Sequence, residues 1–393
     1  MAVTVIADDL TGACDAGALF AGREAVPVFL GTIATDLDRP AVAVDLESRA
    51  LGPAEAATLM RRTAAGLAER LASGTVFKKI DSTFRGPIAA ELGALLDSMG
   101  ASAALVCPAF PAQGRTVLNG MLMVDGVPAH ESPVGLDPAY PGPTSDLLEI
   151  LSRGLAHGSR PPVALLPLKE VRGGAEELRR GLSGRRGLIV ADAETDADLE
   201  ALAAGAYAQR SFLLAGSAGL ARAVSDALGL TSRPVSCPPP GAWLILAGSR
   251  HPSTRAQIAA LEAAGVTGAR LRPVGEPDLD SVIAALRRGE PAFMASPDGP
   301  AGASREIAAM LADLALRAMA AAAPATVAVT GGDTAHALMR AWGAARLDLV
   351  GAPARGLALG RLVATDGSTL PILTKAGGFG SPELYVTLAR GAR

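Results

Sequence analysis

One local pattern recurs along this chain of 393 residues and constrains its fold more than any other feature. A short β-branched or aliphatic run is followed by a turn rich in Gly, Ser or Asp, and then by an Ala-rich helical stretch. The clearest runs are Val3–Ala7, 75–80, Ala103–Cys107, 212–215, Trp243–Ala247 and Thr326–Thr330. Strands that alternate with helices favour parallel βαβ units. The pattern therefore predicts an α/β protein whose largely parallel sheets are flanked by helices.

A proline-rich break divides this pattern into two parts. Residues 231–241 contain Pro234, Pro238, Pro239 and Pro240 and show no hydrophobic periodicity. Proline-rich segments are extended and act as spacers between domains. We therefore expect a domain at residues 1–232, a linker at 233–241 and a second domain at 242–393.

Composition excludes several classes of protein. Apolar residues make up 49% of the chain and charged residues 19%, which is sufficient for a buried core and unlike a disordered chain. The net charge is −3, whereas nucleic-acid binders carry a basic excess. The uncharged stretch 98–114 contains two prolines and is unsuited to a membrane helix. The N-terminus also lacks the features of a signal peptide. We expect neither a nucleic-acid nor a membrane partner.

The cysteines and histidines indicate a compartment and argue against a resident metal. Cys14, Cys107 and Cys237 are odd in number and far apart, which disfavours a disulfide framework and favours a reducing, cytoplasmic environment. The four histidines are scattered without paired spacing. We therefore expect no metal site made by the protein alone.

Charged and polar side chains follow the predicted strands of the first domain. Ligands of open α/β sheets bind beyond the carboxyl ends of the strands. Carboxylates there can hold sugar hydroxyls or accept a proton, and a guanidinium can bind a carboxylate. The alternative is that the acidic or hydroxyl groups only cap helices. Three polar turns in one domain favour a small-molecule site, and their residues are Asp8, Asp9, Asp81, Ser82, Arg85, Gln113 and Arg115.

The second domain has glycine and hydroxyl groups in the corresponding turns. The segments 248–249, 331–334 and 377–378 each follow an apolar run. Bare amides at a helix N-terminus favour phosphate, although each segment taken alone could be an ordinary tight turn. The chain contains no Gly-Lys dipeptide, G-x-G-x-x-G or G-x-S-x-G motif. Their absence disfavours P-loop ATPases, ordinary Rossmann dehydrogenases and α/β-hydrolases.

Six segments resemble, in sequence and in order, the motifs of the four-carbon acid sugar kinase family. They are IADDLTGA (6–13), KKIDSTFRG (78–86), PAFPAQGRT (108–116), GSAGLA (216–221), GGDTA (331–335) and KAGGFG (375–380). Members of that family phosphorylate threonate, erythronate or 3-oxo-tetronate with ATP. The resemblance implies an N-terminal sugar-acid domain, a C-terminal nucleotide domain and an active site in the cleft between them.

The resemblance also implies roles for individual residues. Asp8 and Asp9 would hold substrate hydroxyls, one of them acting as a base, and Arg85 would hold the substrate carboxylate. Asp81 would orient Arg85 or serve as the alternative base, and Mg²⁺ would arrive with ATP. The expected substrate-binding residues are Asp8, Asp9, Lys79, Ser82, Arg85, Gln113 and Arg115. The expected nucleotide-binding residues are Ser249, Gly331, Gly332, Asp333, Thr334, Gly377 and Gly378.

Two other functions stay open from the sequence. A sugar-acid sensor without turnover would also use two domains, but it needs no second, glycine-rich site. An NAD-linked sugar-acid dehydrogenase would need the dinucleotide fingerprint that is missing here. The expected partners are small molecules, a sugar acid and ATP, and a homodimer is left open.

Overall fold

The computed structural model describes residues 2–31, 38–155, 161–207, 212–230, 235–271, 277–297 and 304–390. Its backbone contacts divide the chain into two units. The first comprises Met1–Phe20 and Phe29–Thr231, and the second comprises Ala21–Val28 and Ser232–Arg393. Residues 233 and 234 of the expected linker lie outside the described residues, and residues 235–240 form neither helix nor strand.

The first unit is built on a parallel sheet. The strands up to residue 216 are β1 (Val3–Ala7), β2 (Val26–Leu30), β3 (Ala41–Asp45), β4 (Thr75–Lys79), β5 (Ala103–Cys107), β6 (Arg115–Leu118), β7 (Met121–Val124), β8 (Val127–Pro128), β9 (Val163–Leu166), β10 (Gly187–Ala191) and β11 (Phe212–Gly216). The sheet order is β3-β1-β4-β11-β5-β10-β9. Each neighbouring pair in that order is parallel.

Helices connect these parallel strands, as βαβ geometry requires. They are α1 (Leu10–Leu19), α2 (Pro53–Gly66), α3 (Ala68–Ser73), α4 (Ile88–Met99), α5 (Leu147–Gly154), α6 (Leu168–Val171), α7 (Ala175–Leu182), α8 (Asp196–Tyr207) and α9 (Ala218–Ala227). The strands β1, β5 and β10 are buried along their whole length, which is typical of a sheet covered on both faces. The predicted α/β class is confirmed.

A small antiparallel sheet of β6, β7 and β8 lies within the Pro/Gly-rich stretch that follows β5. Its two connections are Asn119-Gly120 and Asp125-Gly126, and all four residues have positive φ. Asn-Gly and Asp-Gly are the residue pairs preferred in type I′ hairpin turns, which need positive φ at both positions. The local signal for these hairpins was therefore present in the sequence.

The second unit combines parallel and antiparallel strands. Its remaining strands are β12 (Trp243–Ala247), β13 (Thr267–Arg270), β14 (Ala292–Ala295), β15 (Thr326–Thr330), β16 (Ala344–Gly351), β17 (Leu357–Ala364) and β18 (Thr369–Lys375). In the order β13-β14-β12-β15-β18 the neighbours are parallel. The sheet continues through β17, β16 and Val26–Val28 of β2 with antiparallel pairing. Short connections between β16, β17 and β18 leave no room for crossover helices, which explains the change of direction.

The helices of the second unit pack against this sheet. They are α10 (Pro252–Ala263), α11 (Leu279–Arg287), α12 (Ser304–Ala322), α13 (Gly332–Ala341) and α14 (Leu384–Arg390). One buried cluster joins Trp243, Ile258, Phe293 and Tyr385. The Trp243 indole donates a hydrogen bond to the Pro239 carbonyl at 3.0 Å, which anchors the end of the proline-rich segment. Across the described part of the chain, no helix combines the length and apolar character needed to cross a bilayer.

An ion pair without solvent contact lies beneath the carboxyl end of the first unit's sheet. Lys78 on β4 and Glu91 on α4 are both fully buried, and their Nζ and Oε2 atoms are 3.0 Å apart. The Ser48 hydroxyl donates to the other carboxylate oxygen of Glu91. Burial raises the pKa of Glu91, and the Lys78 ammonium opposes that rise. The pair therefore locks α4 to β4 and to the loop after β3.

Replacing Glu91 by Gln should leave the Lys78 ammonium buried without a counter-ion. Breaking a buried pair on one side typically costs about 3–5 kcal/mol, whereas replacing both partners by apolar residues recovers much of the loss. We expect Glu91→Gln to lower the free energy of unfolding by that amount, measured by urea titration. The double variant Lys78→Met, Glu91→Leu should be more stable than Glu91→Gln.

The matched control is the half-exposed pair of Glu149 and Arg153, whose side chains are 50% and 48% exposed. Glu149→Gln should change the free energy of unfolding by less than about 0.5 kcal/mol. Equal losses for Glu91→Gln and Glu149→Gln would show that the buried pair does not hold α4 in place.

Candidate functional site

Two acidic residues follow β1 and have different surroundings. Asp9 caps α1, since its carboxylate accepts hydrogen bonds from the Gly12 amide at 2.9 Å and from the Thr11 hydroxyl at 2.6 Å. Asp8 is buried, with 1% of its surface exposed. The capping interpretation therefore describes Asp9, while the buried Asp8 carboxylate needs a cationic partner.

That partner is Arg49, a residue that the sequence interpretation missed. Its Nε and Nη2 atoms lie 2.7 Å and 3.1 Å from the two oxygens of Asp8, and its Nη1 atom lies 2.9 Å from Asp9 Oδ2. One guanidinium therefore binds both carboxylates. Arg49 belongs to the turn that follows β3. Its position in a charged turn at the end of a strand, like the other predicted site residues, is the signal by which it could have been found.

Nearby cations hold the Asp9 carboxyl in its ionised form. Burial alone would raise the pKa of Asp9, but Arg49 and then Lys79 outweigh this effect, and its pKa is lowered. Lys79 is buried, and its ammonium donates to the Ile80 carbonyl at 2.9 Å. A Cβ atom placed on Gly12 would lie 3.3 Å from Lys79 Nζ, so the lysine reaches the N-terminal turn of α1.

Asp81 and Arg85 form a two-pronged pair in the turn after β4. Arg85 Nε and Nη2 lie 2.7 Å and 3.0 Å from the two oxygens of Asp81, and Thr83 also donates to that carboxylate. Arg85 Nη1 lies 3.0 Å from Asp137 Oδ2. Burial would raise the pKa of Asp81, but Arg85 and Arg49 lower it well below its usual range. This environment suits an orienting carboxylate better than a proton acceptor.

The remaining polar residues expected at the substrate site lie in neighbouring turns. Ser82 belongs to the same turn as Asp81, whereas Gln113 and Arg115 follow β5, which is separated from β4 by β11. The Arg115 guanidinium donates to the Gln113 carbonyl. Its Nε atom is buried without a hydrogen-bond partner among the described residues. An unpartnered buried donor is costly, which makes Arg115 a candidate ligand contact.

In the second unit, the glycine turns converge around Ser249. A Cβ atom on Gly377 would lie 2.3 Å from Ser249 Oγ, and one on Gly331 would lie 3.2 Å from the Ser249 amide nitrogen. A Cβ on Gly378 would lie 3.3 Å from the His251 ring. Gly331 has φ +104°, which an L side chain rarely adopts. Glycine is therefore required where these turns meet.

The helix α13 begins at this place and offers free amide groups. Gly331 is the N-cap of α13, so it provides no side chain to the unpaired amides of the first turn, which includes Gly332, Asp333 and Thr334. The Asp333 carboxylate accepts a hydrogen bond from the Ser304 hydroxyl at 2.6 Å. A Cβ atom on Gly248 would collide with the Thr334 hydroxyl, so the turn after β12 lies against the start of α13.

The carbonyl groups of the glycine loop after β18 are bound from behind. Lys375 Nζ donates to the carbonyls of Ala376, Gly377 and Phe379 at 3.0, 3.2 and 3.0 Å. The Thr254 hydroxyl of α10 also donates to the Gly377 carbonyl, at 2.9 Å. The amides of Gly377 and Gly378 have no hydrogen-bond partner among the described residues. The loop thus offers N–H groups, which is the chemistry that binds phosphate oxygens.

Metal-ligating side chains do not cluster in the part of the chain that is described. Within it, no group of three or more His, Cys, Asp or Glu residues is arranged to hold a metal ion. The candidate sites of the two units differ in their chemical groups. The first unit presents carboxylates and guanidiniums, and the second presents backbone amides and hydroxyls.

Both parts of the chain match known domain families. Residues 3–224 match a family described as a sugar-binding N-terminal domain. Residues 244–384 match a family described as a nucleotide-binding C-terminal domain. A polar sugar site followed by a phosphate-type site is the arrangement of a sugar-directed phosphotransferase.

Relatives that span nearly the whole chain identify the family. The D-threonate kinase of Bordetella bronchiseptica is 33% identical over 420 aligned residues, covering 100% of this chain and 97% of the relative. The D-threonate kinase of Cupriavidus necator is 36% identical over 409 residues, covering 97% and 95%. This chain belongs to the four-carbon acid sugar kinase family, which confirms the resemblance found in its motifs.

Solved structures show the same fold. A crystal structure from Salmonella typhimurium LT2 has a TM-score of 0.81 at 20% identity, covering 100% of this chain and 99% of that one. A Bordetella bronchiseptica protein, crystallised with bound citrate as a domain-swapped dimer, is 28% identical with a TM-score of 0.50 and covers 99% and 98%. Membership of a kinase family argues against the sensor and dehydrogenase alternatives.

The titration of Lys375 should appear in the pH dependence of stability. Burial lowers the pKa of Lys375 from 10.5 to about 7. Between these values the unfolded chain binds a proton that the folded chain lacks, so stability rises with pH by at most about 1.4 kcal/mol per pH unit. Lys375→Met removes this titration. From pH 7 to pH 9, the free energy of unfolding of the wild type should increase relative to the variant by on the order of 2 kcal/mol.

Urea titrations of both proteins at pH 7, 8 and 9 provide the measurement. Parallel profiles for the wild type and Lys375→Met would mean that the lysine keeps its proton throughout this range.

Proposed function

We propose that this protein transfers the γ-phosphoryl group of ATP to a hydroxyl of a four-carbon sugar acid, with D-threonate as the first candidate substrate. The observation that carries the proposal is the presence of two sites with complementary chemistry. One presents charged side chains suited to hydroxyls and a carboxylate, and the other presents glycine amides suited to phosphate. Membership of the family and the names of the two D-threonate kinases support the same reaction.

The first unit is proposed to hold the sugar acid. Asp8 and Asp9 accept hydrogen bonds from substrate hydroxyls, and one of them takes the proton of the reacting hydroxyl. Arg85 binds the substrate carboxylate, and Asp81 orients Arg85 through its two-pronged contact. The same site includes Lys79, Ser82, Gln113 and Arg115. Phosphoryl transfer relies mainly on positioning and on neutralised charge, so a weakly basic carboxylate is adequate.

The second unit is proposed to hold ATP. Gly377 and Gly331 lie against Ser249, and Gly378 lies against His251. We propose that the amides of Gly377 and Gly378 and the first turn of α13, with Gly331, Gly332, Asp333 and Thr334, bind the phosphates. These donors match the oxygens of a triphosphate, and the glycines leave space for close approach. Mg²⁺ would enter with ATP, since phosphate oxygens supply most of its ligands. When bound, it would neutralise part of the phosphate charge.

We assign these two roles to the domains whose limits were predicted from the sequence. Residues 1–232 would bind the sugar acid, 233–241 would link the domains, and 242–393 would bind the nucleotide. The segment Ala21–Val28, which groups with the second unit, would belong structurally to the nucleotide domain although it precedes most of the sugar domain in sequence.

The cysteines and one structural relative bear on location and assembly. Cys107 is a buried thiol, and burial raises its pKa to about 12. A buried thiol outside any disulfide suits a reducing compartment, and we propose a cytoplasmic enzyme. We also propose a homodimer, because the Bordetella bronchiseptica structure is a domain-swapped dimer.

The proposed reaction is tested by measuring ADP release with ATP–Mg²⁺ over a panel of D-threonate, L-threonate, D-erythronate, L-erythronate and 3-oxo-tetronates. Calorimetry with ATP–Mg²⁺, NAD and each acid separates a kinase from a sensor or dehydrogenase. Acid-dependent ADP release supports the proposal. Binding of an acid without turnover would favour the sensor, and binding of NAD but not ATP would favour the dehydrogenase.

Arg85 provides the sharpest test of the substrate site. Arg85→Ala should lower kcat/KM for the best tetronate by about 2–4 kcal/mol of transition-state stabilisation, or roughly 30- to 1000-fold. Arg85→Lys should also be impaired, because an ammonium lacks the fork geometry of a guanidinium. The control Arg153→Ala removes a half-exposed arginine of the same unit and should change kcat/KM less than about twofold. A folded Arg85→Ala protein with near-normal kcat/KM would direct the search for the carboxylate site to Arg115.

Gly377 tests the assignment of the nucleotide. A valine there would place Cβ 2.3 Å from Ser249 Oγ and 3.2 Å from Ser249 Cβ. Gly377→Val should therefore weaken ATP binding at least about tenfold in calorimetry, while binding of the sugar acid is retained. Gly66→Val, at a position with no neighbour within 4 Å of the added Cβ, is the control. Loss of sugar-acid binding with normal ATP affinity would reverse the domain assignment.

A further inference from the structure

Arg49 is the point at which the acidic groups of the first unit meet. Its guanidinium binds Asp8 and Asp9, and its Nη2 atom lies 3.9 Å from Asp81 Oδ1. These three carboxylates follow β1 and β4, while Arg49 follows β3. Because β3, β1 and β4 are neighbours in the sheet, one arginine can reach both acidic turns.

The backbone of Arg49 is fixed from several directions. The amides of Ser48 and Arg49 donate to the Asp8 carbonyl at 3.0 Å and 3.2 Å. Ser48 is also bound to the buried Glu91. Gly86, at φ +96°, approaches so closely that a Cβ there would lie 3.4 Å from Arg49 Cγ. This arginine is therefore preorganised, unlike a surface residue that pairs by chance.

The charges explain what Arg49 does in this place. Asp8 and Asp9 are adjacent in sequence and lie in a low-dielectric environment, where two negative charges disfavour each other's ionisation. Bidentate contact with Asp8 and a further contact with Asp9 offset that repulsion. Without Arg49, the Asp9 carboxylate would bind a proton more readily, and the two carboxylates would turn away from each other.

We propose that Arg49 is a positioning residue for phosphoryl transfer, which holds the carboxylates of Asp8 and Asp9 in the orientation that receives the hydroxyls of the sugar acid. This inference rests on the proposed function and extends it to a residue outside the expected site. Arg49 acts through the two carboxylates. Its fork-shaped guanidinium is required because a single ammonium cannot bind both groups with the same geometry.

Several other charged groups lie near the same carboxylates. Lys79 of β4 acts on Asp9, Glu91 of α4 interacts with Asp8, and Asp15 of α1 interacts with Asp9. The remaining groups around this cluster are Asp81, Arg85 and, next to Asp15, Arg222 of α9. Arg49 itself contacts Asp8, Asp9 and Asp81.

The test compares wild type, Arg49→Lys and Arg49→Met in kcat/KM for the best tetronate from pH 5 to 9. The kcat/KM of Arg49→Met should be at least about 100-fold lower than that of the wild type at pH 7. The acid limb of its pH profile should lie about one pH unit or more higher. The kcat/KM of Arg49→Lys should lie between those of the wild type and Arg49→Met. Guanidinium ion added to Arg49→Ala should restore part of the activity, by a factor of about five or more.

Arg172 supplies the matched control. It forms a two-pronged pair with the nearly buried Asp198 in the same unit, at 2.8 Å for both contacts. Arg172→Met should leave the acid limb where it is in the wild type, and guanidinium should not raise the activity of Arg172→Ala. If Arg49→Met is folded and shows the wild-type acid limb and KM, Arg49 has only a structural role and the inference is overturned.

A second readout separates this inference from the proposed reaction. The carboxyl carbons of ¹³C-labelled aspartates report the protonation of Asp9 without turnover. Because Arg49 lowers the pKa of Asp9, the titration of Asp9 should move to higher pH in Arg49→Met, and unchanged titration would overturn the inference. If the wild-type protein has no activity on any tetronate, the proposed function is contradicted. The carboxylate titration still tests the role of Arg49 in that case.

Discussion

Carboxylates buried beyond the ends of β1 and β4 determine the arrangement of the first unit, because a buried charge must be paired with an opposite one. Arg49 pairs with Asp8 and Asp9, and Arg85 pairs with Asp81. Beneath them, the buried Glu91 is bound to Lys78 and to the turn that carries Arg49. These contacts fix three strand-end turns relative to one another. The polar site is consequently rigid before a ligand binds, as a preorganised site requires.

The second unit depends on a different constraint: its backbone amides must stay accessible where several turns pack closely together. Glycine at 331 and 377 allows the turns to approach Ser249 at distances that a side chain would prevent. The buried amino group of Lys375 and the Thr254 hydroxyl bind the carbonyls of the last glycine loop. The loop is thus held through its acceptors while its amides stay available. These amides and the N-terminus of α13 both favour a bound anion.

The fold could be predicted to the level of class, and part of the site with it. The alternation of apolar runs and helices indicated the α/β class, and the turns after β1, β4, β12 and β15 were located where polar or glycine residues follow the strands. The antiparallel pairing of β16, β17 and β18 was not anticipated, although Gly356 and Asp366-Gly367 in their short connections are typical of hairpin turns. The β6–β8 hairpins were overlooked although Asn119-Gly120 and Asp125-Gly126 encode them locally.

The sequence by itself determined which chemical groups stand at the strand ends, since strand and helix periods and turn residues are local properties of the chain. Only the tertiary structure decided which of those groups meet. Arg49 reaches Asp8 across 41 positions, and Asp137 reaches Arg85 across 52. Such contacts follow from the order of strands in the sheet, which places β3 beside β1 and β1 beside β4. That order depends on long-range packing and leaves no mark on the spacing of residues in any one segment.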